Sequence, residues 1–462
     1  MKTLRVRSGR PLAVGIVTLA AALLTQATYS ADAARATEPS AVVPLQEMML
    51  VHPSVVDPFL NGGRSDNGGP ADLGGIWSLR TLLENINLGG SASARNDFYT
   101  SLFEQWLTDQ TTDNGALVSA RNASLVSSLL LNPFSSVDPA TGKRVYQLWK
   151  LPFELIAIVY RPDLRSSDGT DGGELRFVYK LIGPDGSDLK LTLNLEYSLR
   201  SDFWDTPAST ARSWANNFHR LSTLPVGSEE YLRTLEGMTF YVTSPLYDSY
   251  TETAIKHIRT NELAFDPAGV TWQMREFVVS HPTFTKTVVV ASSVDDTPSA
   301  SLNGTQQLVD FITQNPTLSA AGTAFLQPEG IAHKATTSTF LAGFSNTSNN
   351  PNGVGVKWSA PGQSAVAVDN LALLTCNGCH QDNKMDAAGT MHIPGEVNFY
   401  HIQPDVEPGQ TGESRLSKFL TTADPDPTRA ARRPGELARR KAELEQLLAL
   451  SWSPTWLNLY YP

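Results

Sequence analysis

The spacing of apolar and polar positions changes several times along the chain, and each change predicts a different element. Residues 73–86 and 96–108 are predicted helices, the second carrying Phe98, Leu102, Phe103 and Trp106 at helical spacing. From Gln147 the period shortens. Residues 153–160, 174–181 and 189–199 are rich in β-branched and aromatic side chains. They are separated by Asp168-Gly169-Thr170-Asp171-Gly172-Gly173 and by Gly183-Pro184-Asp185-Gly186, and strands joined by such turns predict a β-meander. Residues 210–221 and 228–235 then read as helices, 238–243 as a strand, and 252–258 as a helix. Residues 272–280 and 285–292 predict a further strand pair, and 306–314 a helix ending at Pro316.

Between 345 and 363 the pattern dissolves into Asn, Ser, Gly and Pro, which reads as a linker or exposed loop and so as a domain boundary. An apolar segment follows at 366–374, then helices at 414–420 and 435–450. The last of these places Leu437, Leu444, Leu447 and Leu448 on one face, with Pro434 near its start. The expected architecture is α+β: an antiparallel-sheet domain with helices over residues 34–365, then a small, mainly helical module over 366–462.

The first 33 residues have a different pattern. Lys2, Arg5, Arg7 and Arg10 precede an apolar run over 12–24, and Ala31-Asp32-Ala33 fits a small-x-small cleavage site. This is the layout of a signal peptide, and the run is short for a bilayer span. The expectation is export, to the periplasm or beyond, with residues 1–33 removed. No later stretch has the length and apolarity of a membrane span.

Composition adds two points. The formal charge of the 462-residue chain is −10. Losing Lys2, Arg5, Arg7, Arg10 and Asp32 leaves the remainder near −13. Such a surface repels phosphate backbones, so nucleic acid is not an expected partner. The second point is cysteine usage: there are two cysteines, only three positions apart. An exported protein stapled by disulfides would spread its cysteines, so both sulfurs are committed to one local task.

That task is legible in Cys376-Asn377-Gly378-Cys379-His380. Residues i and i+3 of a helical turn share a face, so two thiols there can each add to a vinyl group of one haem. The next residue then lies beneath the ring, where its imidazole can bind iron. With two cysteines and eight histidines, chance placement of this pattern has odds of roughly one in ten thousand. Haem c is the expected cofactor, with Cys376 and Cys379 as its covalent attachment points and His380 as proximal iron ligand. The competing reading is a non-haem exported binding or structural protein in which Cys376 and Cys379 form a local disulfide.

A second axial ligand must reach the opposite face of the ring, around an edge path of roughly 20 Å. At about 3.4 Å per residue, Met385 is too near His380. Met391, His392 and His401 are far enough. His401 is flanked by Asn398, Phe399, Tyr400 and Ile402, a strand-like run suited to lining a haem pocket. It is the expected distal ligand, with Met391 or His392 as alternatives.

Segments Cys376–His380, Phe399-Tyr400-His401-Ile402 and Leu416-Ser417-Lys418-Phe419-Leu420 resemble blocks of exported bacterial proteins described as cytochrome c domain-containing or uncharacterised. Residues 155–165, 174–179, 258–262 and 272–277 are similar to upstream blocks of the same group. The resemblance implies a C-terminal c-type haem module and supports His401, but implies no substrate. No methionine follows Met391, unlike ordinary cytochromes c. The function expected is therefore mono-haem electron transfer with an unidentified redox partner, and an oxidoreductase if the protein is an enzyme. Two minor features complete the reading. Asp168, Asp171 and Glu174 fit either a calcium site or a plain hairpin turn, and Asp163 with Arg165 reads as a solvated turn or an ion pair.

Overall fold

The computed structural model describes residues 41–88, 90–111, 117–166, 171–200, 207–244, 253–268, 273–279, 289–293, 302–319, 359–373, 402–403, 415–416, 418–421 and 435–450. The expected signal peptide lies outside them, as do residues 345–358 of the expected linker and most of 366–462.

Seven strands form one sheet in strict chain order. They are β1 (Met49–Leu50), β2 (Phe153–Arg161), β3 (Asp171–Ile182), β4 (Asp188–Arg200), β5 (Ile255–Glu262), β6 (Gln273–Val279) and β7 (Val289–Ser293). Every neighbouring pair is antiparallel. The expected α+β class with an antiparallel sheet is thus observed, and β2, β3 and β4 fall where alternation placed them. Gly186 turns the β3–β4 hairpin at φ 81°, a conformation costly for other residues. At the far end Gly173, at φ 115°, passes so close to the Arg161 carbonyl that a Cβ would collide with it.

One face of the sheet is apolar along its length. Leu155, Ile158, Tyr160, Leu175, Phe177, Tyr179, Leu193, Leu195, Tyr197, Ile258 and Phe277 all point into one buried cluster. Helices α1 (Leu79–Ile86), α2 (Ala92–Phe103), α3 (Pro207–Leu221) and α4 (Glu229–Thr243) pack around this inner side. Each fully buried Leu or Phe there contributes roughly 1.5–3 kcal/mol from removal of apolar surface. Tyr160 stacks on Phe218 with centroids 4.0 Å apart and planes 11° from parallel. Where the core meets β5 and β6, Glu262 is buried with Arg121 (3.2 Å), Arg275 (3.6 Å) and the Trp106 indole N–H.

Two expectations are corrected. Residues 238–243 continue α4 rather than forming a strand. Ser228 caps the helix by accepting from Tyr231 N, and Tyr231, Leu232, Leu235, Met238 and Val242 bury one helical face. That packing outweighs the β-leaning sequence Thr239-Phe240-Tyr241-Val242-Thr243. Residues 255–262, read in part as helix, are β5. A bulge between Glu196 and Tyr197 of the β4–β5 ladder places both Ile255 and Ile258 on the inner face, imitating the i, i+3 spacing of a helix.

The described parts of the C-terminal hundred residues include α6 (Ala365–Leu373), a hairpin of β8 (Ile402–Gln403) with β9 (Arg415–Leu416), the turn Lys418–Thr421, and α7 (Glu436–Ala449). Residues 414–420 were expected as helix; Arg415–Leu416 is a strand and the helical turn begins only at Lys418. The helix expected over 435–450 is observed as α7. It lies across the sheet edge: Leu437 joins the outer side, while Leu444 and Leu447 enter the main core beside α3.

Candidate functional site

Cys376, Cys379, His380, Met391, His392 and His401 lie outside the described residues, but the chain on either side of them is placed. Upstream, the apolar segment expected at 366–374 is α6, which ends three residues before Cys376. Ser364 Oγ accepts from Ala367 N at 3.2 Å at its start. Ala367 and Leu371 are buried, and α6 packs on helix α5 (Gln306–Gln314) and the turn Pro316–Ser319. Gln363 Nε2 donates to Thr313 Oγ1 at 3.0 Å and fixes the entry to α6.

Downstream, Ile402 directly follows His401 in sequence. Ile402 is buried on the outer face of the sheet, in one cluster with Met49, Val51, Ile156, Ala157, Val159, Val178, Leu420 and Leu437. Apart from Val51, which follows β1, these belong to β1, β2, β3 and the C-terminal segments. The alternation of each strand dictates this: Ile156, Val159 and Val178 point opposite to Leu155, Ile158 and Phe177.

Beyond Val178 the outer face changes from apolar to charged. Arg176 pairs with Glu174 at 2.5 Å and with Glu196 at 3.2 Å. Lys256 reaches Glu174 at 2.9 Å. Arg259 meets Glu276 at 2.6 Å and Glu196 at 3.5 Å, and His257 lies 3.4 Å from Glu276. The register explains the arrangement, because Arg176 stands opposite Glu196, Glu196 opposite His257, and Arg259 opposite Glu276.

The carboxylates of this strip differ. Burial alone would raise Glu174, but Arg176, Lys256 and Arg259 hold it well below the usual range. Glu196 goes the other way: complete burial raises it, Arg176 and Arg259 oppose, and the neighbouring charges of Glu174 and Glu276 add to the rise. Burial pushes His257 down against the pull of Glu276. Of the calcium reading, Asp168 lies outside the described residues, while Asp171 and Glu174 are engaged by other partners. Glu174 is held by two cations, and Asp171 accepts from Ser198 Oγ at 2.6 Å and Gly173 N at 2.8 Å.

A second cluster fastens α7 to the sheet. Asp163 is a buried acceptor for Arg161 at 2.8 Å and Arg439 at 2.6 Å, so it is not a solvated turn. Glu436 holds Arg439 at 2.7 Å and Arg440 at 3.0 Å, and Arg165 reaches Glu443 at 3.0 Å. Burial would raise both Asp163 and Glu436, yet the surrounding guanidinium groups keep both below their ordinary values. Burial lowers Arg440 to about 10.

The donor set of the motif suits a haem c: two thiols three apart, the only ones in the chain, and an imidazole next to the second. Among the described residues no group of three or more His, Cys, Asp and Glu comes together to hold a metal ion. Among them, too, no helix is long and apolar enough to cross a membrane. Sequence reading missed the charged strip, although its signal was present. On β3, β4 and β5 the polar side chains Glu174, Arg176, Asn194, Glu196, His257 and Arg259 occupy the positions that alternation points away from the core.

Comparison with known proteins finds no family model that matches the chain, and no curated protein and no solved structure with significant similarity to it.

Proposed function

We propose that the chain is an exported mono-haem c-type protein that passes single electrons to a redox partner. The observation that carries this reading is the placement of both cysteines of the chain in Cys376-x-x-Cys379-His380, behind a basic-then-apolar N-terminus that reads as an export signal. Cys376 and Cys379 bind the haem covalently, and His380 binds its iron from the proximal side. The haem supplies the one-electron chemistry, while the protein sets ligation, burial and field. Residues 366–462 form a cytochrome c-like module, and the mature protein, near −13, resides in the periplasm or is secreted.

His401 is the distal ligand in this reading, because it has the reach and immediately precedes a residue buried on the sheet. A ligand beside such an anchor loses less freedom on binding iron than one in the middle of a long connection. The experiment that tests the function is expression with haem-maturation machinery, followed by a visible spectrum. A red protein with a c-type pyridine haemochrome is expected, and a colourless protein with a Cys376–Cys379 disulfide would establish the competing reading. Replacing His401 by Ala should give a high-spin or water-ligated iron, whereas Met391→Ala and His392→Ala should leave the spectrum unchanged. A spectrum altered by Met391→Ala or His392→Ala instead reassigns the ligand.

A further inference from the structure

A cleft of about 530 Å³ opens between α1, α2 and the strand Arg144–Tyr146 with the turn Leu148–Lys150 that follows it. Its size is in the range of small-molecule sites. One face of α2 lines it, because Ala92, Arg95, Asn96 and Tyr99 recur at helical spacing.

Most polar groups of the lining are already engaged. Arg80 is paired with Glu84 at 3.1 Å, and Lys143 lies 3.7 Å from Asp97. Asn96 donates to Arg144 O at 2.7 Å and accepts from Tyr146 N, and the Tyr146 hydroxyl donates to Glu104 at 2.8 Å. Three groups are left over. Arg95 makes only a 3.2 Å bond to the Gly90 carbonyl, with no carboxylate within 4 Å among the described residues. Tyr99 is 6% exposed, and its hydroxyl has no hydrogen-bond partner among the described residues. The first N–H groups of α2 are the third, since the Ser91 cap satisfies Ala94 N and leaves those of Ala92 and Ser93. All three favour negative charge, and the pairing of Glu84 and Asp97 leaves Arg95 as surplus positive charge in an acidic protein. Trp149 supplies an apolar wall, with the Lys150 ammonium 4.7 Å from its ring.

We propose that this cleft binds a small organic anion, seating its carboxylate or phosphate on Arg95, the Tyr99 hydroxyl and the N-terminus of α2, and its apolar body against Trp149. None of its lining residues belongs to the haem motif, and the proposal stands or falls apart from the electron-transfer reading.

The test is calorimetric titration of the full mature protein with phenyl phosphate, benzoate and the neutral benzyl alcohol. One saturable site for at least one of the anions is expected, with no binding of the alcohol at the same concentration. A preference for phenyl phosphate identifies a phosphate seat, and a preference for benzoate a carboxylate seat. Arg95→Gln should weaken the anion about tenfold or more, the scale of one charge-assisted hydrogen bond. Tyr99→Phe keeps the packing of the ring and should weaken it severalfold, which guards against a variant that fails to fold. Equal binding of the alcohol, no binding of either anion, or unchanged affinity in a folded Tyr99→Phe protein would overturn the proposal.

Discussion

The two faces of the sheet are built from the same strands but solve different problems. The inner face is a continuous field of Leu, Phe and Tyr sealed by α1 to α4. The outer face is divided: an apolar half on β1, β2 and Val178 receives Ile402, Leu420 and Leu437, and a charged half carries Glu174, Arg176, Glu196, His257, Arg259 and Glu276. The contrast separates a sealed apolar core from a face that is half apolar and half charged. Among the described residues of the C-terminal segment, Leu444, Leu447 and the half-buried Leu448 join the inner core. The outer face holds the residue next to a proposed iron ligand, beside a strip of fixed charge.

Opening the inner face should have the largest effect on stability. Phe177 is fully buried at the centre of β3. Phe177→Ala should cost about 3–5 kcal/mol by lost transfer energy and cavity formation, read as a drop in urea midpoint. A loss below 1 kcal/mol would mean that the inner face is not the main core.

The next effect concerns the lock on α7. Asp163→Ala leaves Arg161 and Arg439 buried without their shared carboxylate, at a cost of about 3 kcal/mol. Wild-type and variant should differ in a defined pH window. Asp163 and Glu436 have folded values below their ordinary 3.8 and 4.5. Their stabilisation is therefore complete above pH 4.5 and is lost as pH falls through the depressed folded values. The gap between wild type and Asp163→Ala should shrink as pH drops below 4, and a gap constant from pH 7 to 2 would contradict the ion-pair account.

The smallest effect lies on the charged half of the outer face. Glu196 is raised in the fold, so its contribution is full below pH 4.5 and is lost as pH rises through the folded value. Glu196→Gln cannot titrate. Its stability relative to wild type should improve between pH 4.5 and neutrality. A relative stability that declines over that range would show Glu196 to be a stabilising carboxylate instead.

Legibility in the sequence followed the range of the interactions. The meander was readable because alternation and Gly-Asp turns are local, and α7 because its leucines recur within one helix. Residues 238–243 misled because β-branched and aromatic propensity is local while the packing that made them helical is not. Ile255 and Ile258 misled because the bulge that set their phase lies in the β4–β5 ladder. The lock on α7 was invisible because Asp163 and Arg439 are 276 residues apart. The Cys-x-x-Cys-His motif was the reverse case: five consecutive residues carry the proposed haem chemistry without any tertiary information. The charged strip was half legible, since alternation marks outward positions but does not say that Glu196 would be buried there.

The haem reading requires that both thiols be spent on one haem. The most direct measurement is intact mass of the exported, denatured protein together with a thiol titration. A chain beginning near Ala34 is expected, carrying one haem that survives denaturation and no free thiol, with that attachment lost in Cys376→Ala or Cys379→Ala. A protein without haem mass, showing two titratable thiols or one Cys376–Cys379 disulfide, would contradict it.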